Sequence, residues 1–303
     1  MSMPKLGLGL SNVAFDQTNK LSLKWLTEYA VKCENEGVEA IWIMDHVYWQ
    51  TPTVEQIIAL AAIAAVTRKI NFGTLVLQLP LRHNSIRILA KQLHNIYEVA
   101  GDRLSLGLGL GSVKLEYQVM GIDFTNRAKL FDSDLQLLVE IFDKGFHVSR
   151  STNKIQADEK IFNNIPIWLG SRAGDRALDR VVKYADGWMP LFIDVSELAV
   201  ARKKINLMVK QSFDKRKSIK YGVSLLINNG DDSQIIANAN RFSSLFGMPY
   251  KYFSKYVVTG NLKQCASQIQ MYLDIGLDHI STLWPTTDPL NNFLEIQSML
   301  NLS

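Results

Sequence analysis

Cysteine is nearly absent: Cys33 and Cys265 are the only two in 303 residues, and neither sits in a CxxC pair or beside a histidine-rich stretch. That spacing excludes a disulfide framework and a structural zinc site, so both residues read as buried thiols. Long hydrophobic runs are also missing. The longest, IIALAAIAAV at 57–66, falls well short of the roughly 18 to 20 residues a bilayer-spanning helix needs, and it reads as a buried helix. The opening stretch MSMPKLGLGLSNVAFDQ lacks the apolar core of a secretory signal, so cytoplasmic residence is expected. Charge of one sign is not concentrated either. The net charge is +4 and the 33 Lys and Arg are dispersed. The densest clusters, Arg202-Lys203-Lys204 and Lys215-Arg216-Lys217, are short enough to be solvated helix faces, so no nucleic-acid partner is expected. The small positive excess suits an anionic cofactor.

What is present is an alternation. With 47% hydrophobic and 20% charged residues, the chain can form one large core. Strand-like segments at 5–10, 40–44, 71–76, 104–109, 167–169, 187–189, 221–227 and 279–283 are each followed by a helical pattern. These helices fall at 21–35, 54–66, 86–99, 128–144, 173–185, 196–213, 262–276 and 290–300. Eight short apolar strands, each followed by an amphipathic helix, indicate a parallel sheet closed into a (β/α)8 TIM barrel, one domain over 1–303. The segments 111–127, 149–164 and 228–256 exceed ordinary connection lengths and are read as insertions or lids.

In such a barrel, chemistry gathers just after each strand. The residues there are Ser11 and Asn12, Asp45 and His46, 74–78, Gly109, Gly111 and Ser112, Gly170, Ser171 and Arg172, 188–190, Asn228 and Asn229, and Trp284 with Pro285. They contain no Ser/His/Asp order, no HExxH spacing and no clustered carboxylates. Triad acyl transfer, zinc hydrolysis and two-carboxylate glycoside cleavage are therefore disfavoured, and a cofactor carrying its own reactivity fits better. GLGLG at 107–111 does not match the GxGxxG dinucleotide fingerprint. Its glycines either permit tight turns or let a flat ring lie against the backbone. Gly170-Ser171-Arg172 falls between a strand and the first turn of a helix, where backbone N–H groups, a hydroxyl and a guanidinium can hold a phosphate. His46 can donate or accept a proton near neutral pH. His83, His94, His147 and His279 read as structural or exposed. Tyr48, Trp49, Phe192 and Trp284 point either to an aromatic-lined pocket or to core packing.

The stretches GVEAIWIMDHVYW (37–49), INFGTLVLQLPLRH (70–83), DRLSLGLGLGS (102–112), 166–190 and 258–288, with Glu116-Tyr117 and Met120-Gly121 between them, resemble the bacterial luciferase-like flavin monooxygenases. That family also contains oxidoreductases using the deazaflavin F420. The resemblance spans nearly the whole chain. It implies a cofactor at the carboxyl-terminal mouth of the barrel, His46 as the active-site histidine, a non-prolyl cis peptide at Leu75-Val76 under the ring, and a phosphate turn at Gly170, Ser171 and Arg172. Asp45, Thr74, Gly109, Gly111 and Ser112 complete the expected cofactor contacts. The leading reading is a two-component monooxygenase that takes reduced FMN from a separate flavin reductase and uses oxygen on a small organic substrate. An F420-dependent dehydrogenase or reductase is the alternative, and a non-catalytic flavin-binding paralogue is a reading of another class. F420-dependent sugar-phosphate dehydrogenases of the family place a glutamate directly after the GxG turn, where this chain has Ser112. A homodimer is the assembly the resemblance implies.

Overall fold

Alternating large and small residues organise the barrel. In the first strand, β1 (Leu6–Leu10, LGLGL), the leucines are buried in the layer between strands and helices, while Gly7 and Gly9 face the barrel axis. A computed structural model describes residues 5–14, 21–144, 147–149, 154–156, 165–212, 218–286 and 288–302. Along the first half of the chain follow α1 (Leu23–Asn35), β2 (Ala40–Ile43), α2 (Gln56–Val66), β3 (Asn71–Thr74), β4 (Leu77–Gln78), α3 (Ile86–Ala100), β5 (Leu104–Gly109), α4 (Lys114–Val119) and α5 (Arg127–Lys144). A small hairpin of β6 (His147–Ser149) and β7 (Lys154–Gln156) leads to β8 (Ile167–Leu169), α6 (Asp175–Tyr184), β9 (Gly187–Trp188) and α7 (Val195–Gln211). The chain then forms β10 (Lys220–Asn229), α8 (Asp232–Phe246), β11 (Val257–Gly260), α9 (Leu262–Asp274), β12 (His279–Leu283) and α10 (Leu290–Met299).

Eight parallel strands close on themselves in the order β1-β2-β3-β5-β8-β9-β10-β12, with β12 pairing back onto β1. This is the (β/α)8 barrel expected from the alternation. Two short strands lie outside the ring. β4 pairs with the end of β5, and β11 pairs with Leu226–Asn229, extending β10 beyond its contact with β9. The third strand ends at Thr74, not at 76, and Leu75 and Val76, joined by a cis peptide bond, lie between it and β4. The 111–127 insertion folds as α4 and a short 3-10 turn, and 228–256 as α8 and two 3-10 turns. Most of 149–164, and the cluster Lys215-Arg216-Lys217, lie outside the described residues.

The outer core is aliphatic. Leu104, Leu106 and Leu108 of β5 and Val223, Leu225 and Ile227 of β10 join Leu89, Leu93 and Ile96 of α3 in one cluster. The run 57–66 is α2, with Ile57, Leu60 and Ile63 buried and Ile58 and Val66 turned outward. Inside the barrel a second cluster holds Trp42, Met44, Trp168, Met189, Leu226 and Leu283. Two tryptophans fill the bore below the mouth. Trp42 Nε1 donates to His279 Nε2 at 2.7 Å, and Trp168 lies 6.3 Å, centroid to centroid, from the same imidazole. Glycines on adjoining strands make room for them: a Cβ at Gly7 would stand 2.8 Å from Trp42, and one at Gly187 2.4 Å from Trp168. Above this floor the interior opens towards the carboxyl ends of the strands. Both cysteines are buried, as their isolation suggests. Among the described residues no helix is long and apolar enough to cross a membrane, and no group of three metal-ligating side chains occurs.

Candidate active site

A cavity of about 510 Å³ opens at the carboxyl-terminal mouth of the barrel, within the size range of small-molecule sites. Asp45, His46, Leu75, Val76, Gly109, Gly111, Ser112, Gly170, Ser171 and Arg172 all line it. Thr74 does not. Its hydroxyl turns away to donate to the Gly107 carbonyl at 2.7 Å, tying β3 to β5 below the cavity.

One end of the cavity is a polar knot around His46. Asn12, wholly buried at the end of β1, donates from its amide to the carbonyls of His46 and Val54, both at 2.9 Å, and accepts from the His46 N–H at 3.0 Å. This clamps the His46 backbone. The side chain is held by Glu116, which reaches in from α4: Nδ1 lies 3.2 Å from Glu116 Oε2. Glu116 is 1% exposed, and its other oxygen accepts from the Val47 N–H at 2.7 Å. A buried carboxylate bonded to an imidazole fixes which ring nitrogen carries the proton and leaves Nε2 as the nitrogen for chemistry. Trp49 packs on the His46 ring at 4.4 Å.

Asp45 serves this knot from behind. Arg82 grips it with both terminal nitrogens, at 2.5 and 2.8 Å, and its Oδ2 accepts the Gln78 N–H at 2.8 Å. The Gln78 amide nitrogen bridges the Asp45 carbonyl and Glu116. Burial disfavours the Arg82 charge, but Asp45 and Glu55 more than offset it and raise the guanidinium pKa. Asp45 therefore has its carboxylate committed to Arg82 and Gln78.

The floor explains Gly109 and Gly170, whereas Gly107 makes room for the Thr74 carbonyl and Gly111 for the Gln78 side chain. A Cβ at Gly109 would lie 2.4 Å from Val76 Cγ2, and one at Gly170 2.6 Å from Val76 Cγ1. The space is already taken by Val76, so these glycines bring that side chain, rather than bare backbone, up to the cavity.

The other end is cationic. The Gly170-Ser171-Arg172 turn leads into α6, whose N-cap is Gly174 with no side-chain cap, and Gly174 and Ala177 line the cavity at this helix end. Trp188 Nε1 donates to both the carbonyl and the hydroxyl of Ser171 at 3.2 Å and fixes the turn. Arg180, one helical turn deeper, lines the cavity and pairs with Asp132. Hydrogen bonding from Lys204 holds the Asp175 carboxyl below its usual range and offsets the one acid in that first turn. A single phosphate fits this donor set.

The ceiling is aromatic. Phe192, at φ 57°, stacks edge-on against Phe246 of α8 at 5.1 Å and lies 5.3 Å from Phe253. A bulky residue in that left-handed region costs about 1–2 kcal/mol, which the ring contacts offset. Of the aromatics singled out from sequence, Phe192 alone lines the cavity. Trp284 is buried and donates to Thr282, Trp49 supports His46, and Tyr48 is 54% exposed. His83 pairs with Asp134, His94 with Glu98 and His279 with Trp42; the side chain of His147 is outside the described residues. Gln78 stood in the strand-end set and Glu116 among the stretches that carry the resemblance, but neither they nor Arg82 were assigned a role; Glu116 arrives from a helix in an insertion, where strand-end logic does not look.

A model of the luciferase-like monooxygenase family matches residues 8–279. The chain belongs to that family. An uncharacterised Mycobacterium tuberculosis protein is 32% identical over 162 residues, so the match spans about half of each chain, 50% of this one and 54% of that relative. An F420-dependent glucose-6-phosphate dehydrogenase of Amycolatopsis mediterranei is 24% identical over 84% of this luciferase-like chain and 86% of its own. Among solved structures, an F420-dependent secondary alcohol dehydrogenase superposes with a TM-score of 0.75 over 98% of both chains at 13% identity. At that identity the match shows the fold. Membership of the luciferase-like monooxygenase family supports an oxidoreductase.

Proposed function

We propose that this chain is the oxygenating component of a two-component monooxygenase, binding reduced FMN from a separate reductase and oxidising a small, largely apolar organic substrate. The observation that carries the reading is one cavity with three unlike parts: a phosphate-sized cationic end at Gly170–Arg172 and Arg180, a proton-handling end at His46 and Glu116, and apolar walls between. When bound, reduced FMN supplies the two electrons that split oxygen, one atom going to the substrate and the other to water. Ser171, Arg172 and the α6 N–H groups would hold the phosphate, and Val76 would support the ring. His46 would shuttle the proton, steadied by Glu116. The Phe192, Phe246 and Leu245 ceiling would exclude water that diverts the reaction.

The F420 reading is favoured by the similarity to the Amycolatopsis enzyme. Against it, Ser112 stands where sugar-phosphate dehydrogenases of this kind carry an acid, and among the described residues the Lys and Arg lining is Arg172 and Arg180, which suits one phosphate better than an acidic tail. Anaerobic fluorescence titration with reduced FMN, oxidised FMN and F420 decides between them. Tight binding of reduced FMN, followed by oxygen consumption on admitting air, is the expected result. Binding of F420 with no response to FMN would replace oxygenation by hydride transfer.

A further inference from the structure

Among the described residues, the cavity holds a polar group that neither the phosphate end nor the His46 knot uses. Ser224, on β10, is 4% exposed, and its hydroxyl has no hydrogen-bond partner. Its direction follows from the strand. Val223 and Leu225 on either side belong to the outer aliphatic core, whereas Leu226 belongs to the inner cluster, so Ser224 points into the barrel. It lines the cavity beside Met189 and Leu283. In the closed ring β10 stands four strands from β3 in either direction, so Ser224 is on the wall opposite β3, while Val76, which follows β3, packs against Gly109 and Gly170 at the ends of β5 and β8. A hydroxyl buried among apolar side chains without a partner is destabilising. Folding gains nothing from it: the Ser224 backbone is already secured, its N–H donating to the Pro190 carbonyl at 2.9 Å.

We propose that Ser224 is the specificity-determining contact of the substrate chamber, donating a hydrogen bond to the single carbonyl or hydroxyl oxygen of an otherwise apolar substrate. The inference rests on reading this cavity as the place where cofactor and substrate meet, with Val76 on the cofactor side. Satisfying the buried hydroxyl is what distinguishes such a substrate from a hydrocarbon of the same shape. Apolar contacts with Met44, Met189, Leu283 and the Phe192 ceiling would hold the remainder.

Acetophenone and ethylbenzene, which differ by a carbonyl in place of a methylene, are the probes. Their binding to the full chain is measured by calorimetry with and without FMN. The wild type is expected to prefer acetophenone by several-fold to about tenfold. Ser224→Ala abolishes that preference while leaving ethylbenzene and FMN affinity unchanged and the melting temperature equal to or above that of the wild type. Ser281 is the internal control. It faces Ser224 in register on β12 and also has a hydroxyl without a partner, but it does not line the cavity, so Ser281→Ala keeps the preference. No preference in the wild type, a preference that survives Ser224→Ala, or equal losses in both variants would each overturn the assignment. The FMN titration separates the two proposals: intact FMN binding without ketone preference removes Ser224 alone, and ketone preference without FMN binding removes the cofactor reading alone.

Discussion

At the scale of single residues the site depends on pairs. His46 is the candidate proton carrier, and Glu116 acts through it by fixing the ring. His46→Ala is therefore expected to lower kcat by about 10²–10⁴-fold, the usual range for general acid–base groups. Glu116→Gln should lower it by roughly 10–100-fold, as for a partner that orients a functional histidine. Both variants should bind reduced FMN within about twofold of the wild type. If either abolishes binding, the knot belongs to the cofactor site and not to proton transfer. The Val76 and Gly109 contact makes a second prediction. A methyl at Gly109 would lie 2.4 Å from Val76 Cγ2, and overpacking of this kind costs about 1–3 kcal/mol. Gly109→Ala is expected to reduce stability by that amount and weaken FMN, and Val76→Ala should recover most of it. A denaturant-melt double-mutant cycle with no coupling would show that the backbone, not Val76, sets the fit.

Individual elements show what was legible in the sequence. All eight strands and their helices could be read because leucine and valine recur where the outer core needs them, as in LSLGLG of β5, and because glycines or caps end the segments. The breaks were harder. Residues 71–76 look like one strand by composition, and nothing local announces that β3 stops at Thr74. β11 is four residues long, and α4 is an isolated six-residue helix; both are stabilised by tertiary contacts rather than by their own pattern. Site residues at strand ends were visible for the same reason the strands were, and Glu116 was not, since its partner lies 70 positions away. The junction between α1 and β3 illustrates such a long-range tie. Glu34 accepts backbone N–H bonds from Arg68, Lys69 and Ile70 at 2.6–3.1 Å. Partial burial pushes its pKa up, but these donors outweigh burial and hold it below the usual 4.5. A pKa lowered by folding gives stability that is complete above the unfolded value and is lost as pH falls through the folded one. Glu34→Gln should thus cost about 1 kcal/mol near neutral pH, with the gap in melting temperature closing below about pH 4. A gap that is constant with pH would show that the carboxylate charge plays no part.

Over the whole molecule the barrel is a vessel with a sealed base and a lined mouth. The base depends on two tryptophans that differ in one respect: Trp42 donates to His279, whereas the Trp168 indole nitrogen is buried without a partner. Trp42→Phe removes the hydrogen bond to His279 and should cost about 1 kcal/mol more than Trp168→Phe, as read by urea denaturation. Equal losses would mean that ring volume alone seals the base. The same arrangement has an optical consequence. Two indoles sit directly beneath the chamber, and their emission overlaps the absorption of an oxidised flavin, so occupancy should quench the chain's own ultraviolet fluorescence. The vessel reports its contents without a label.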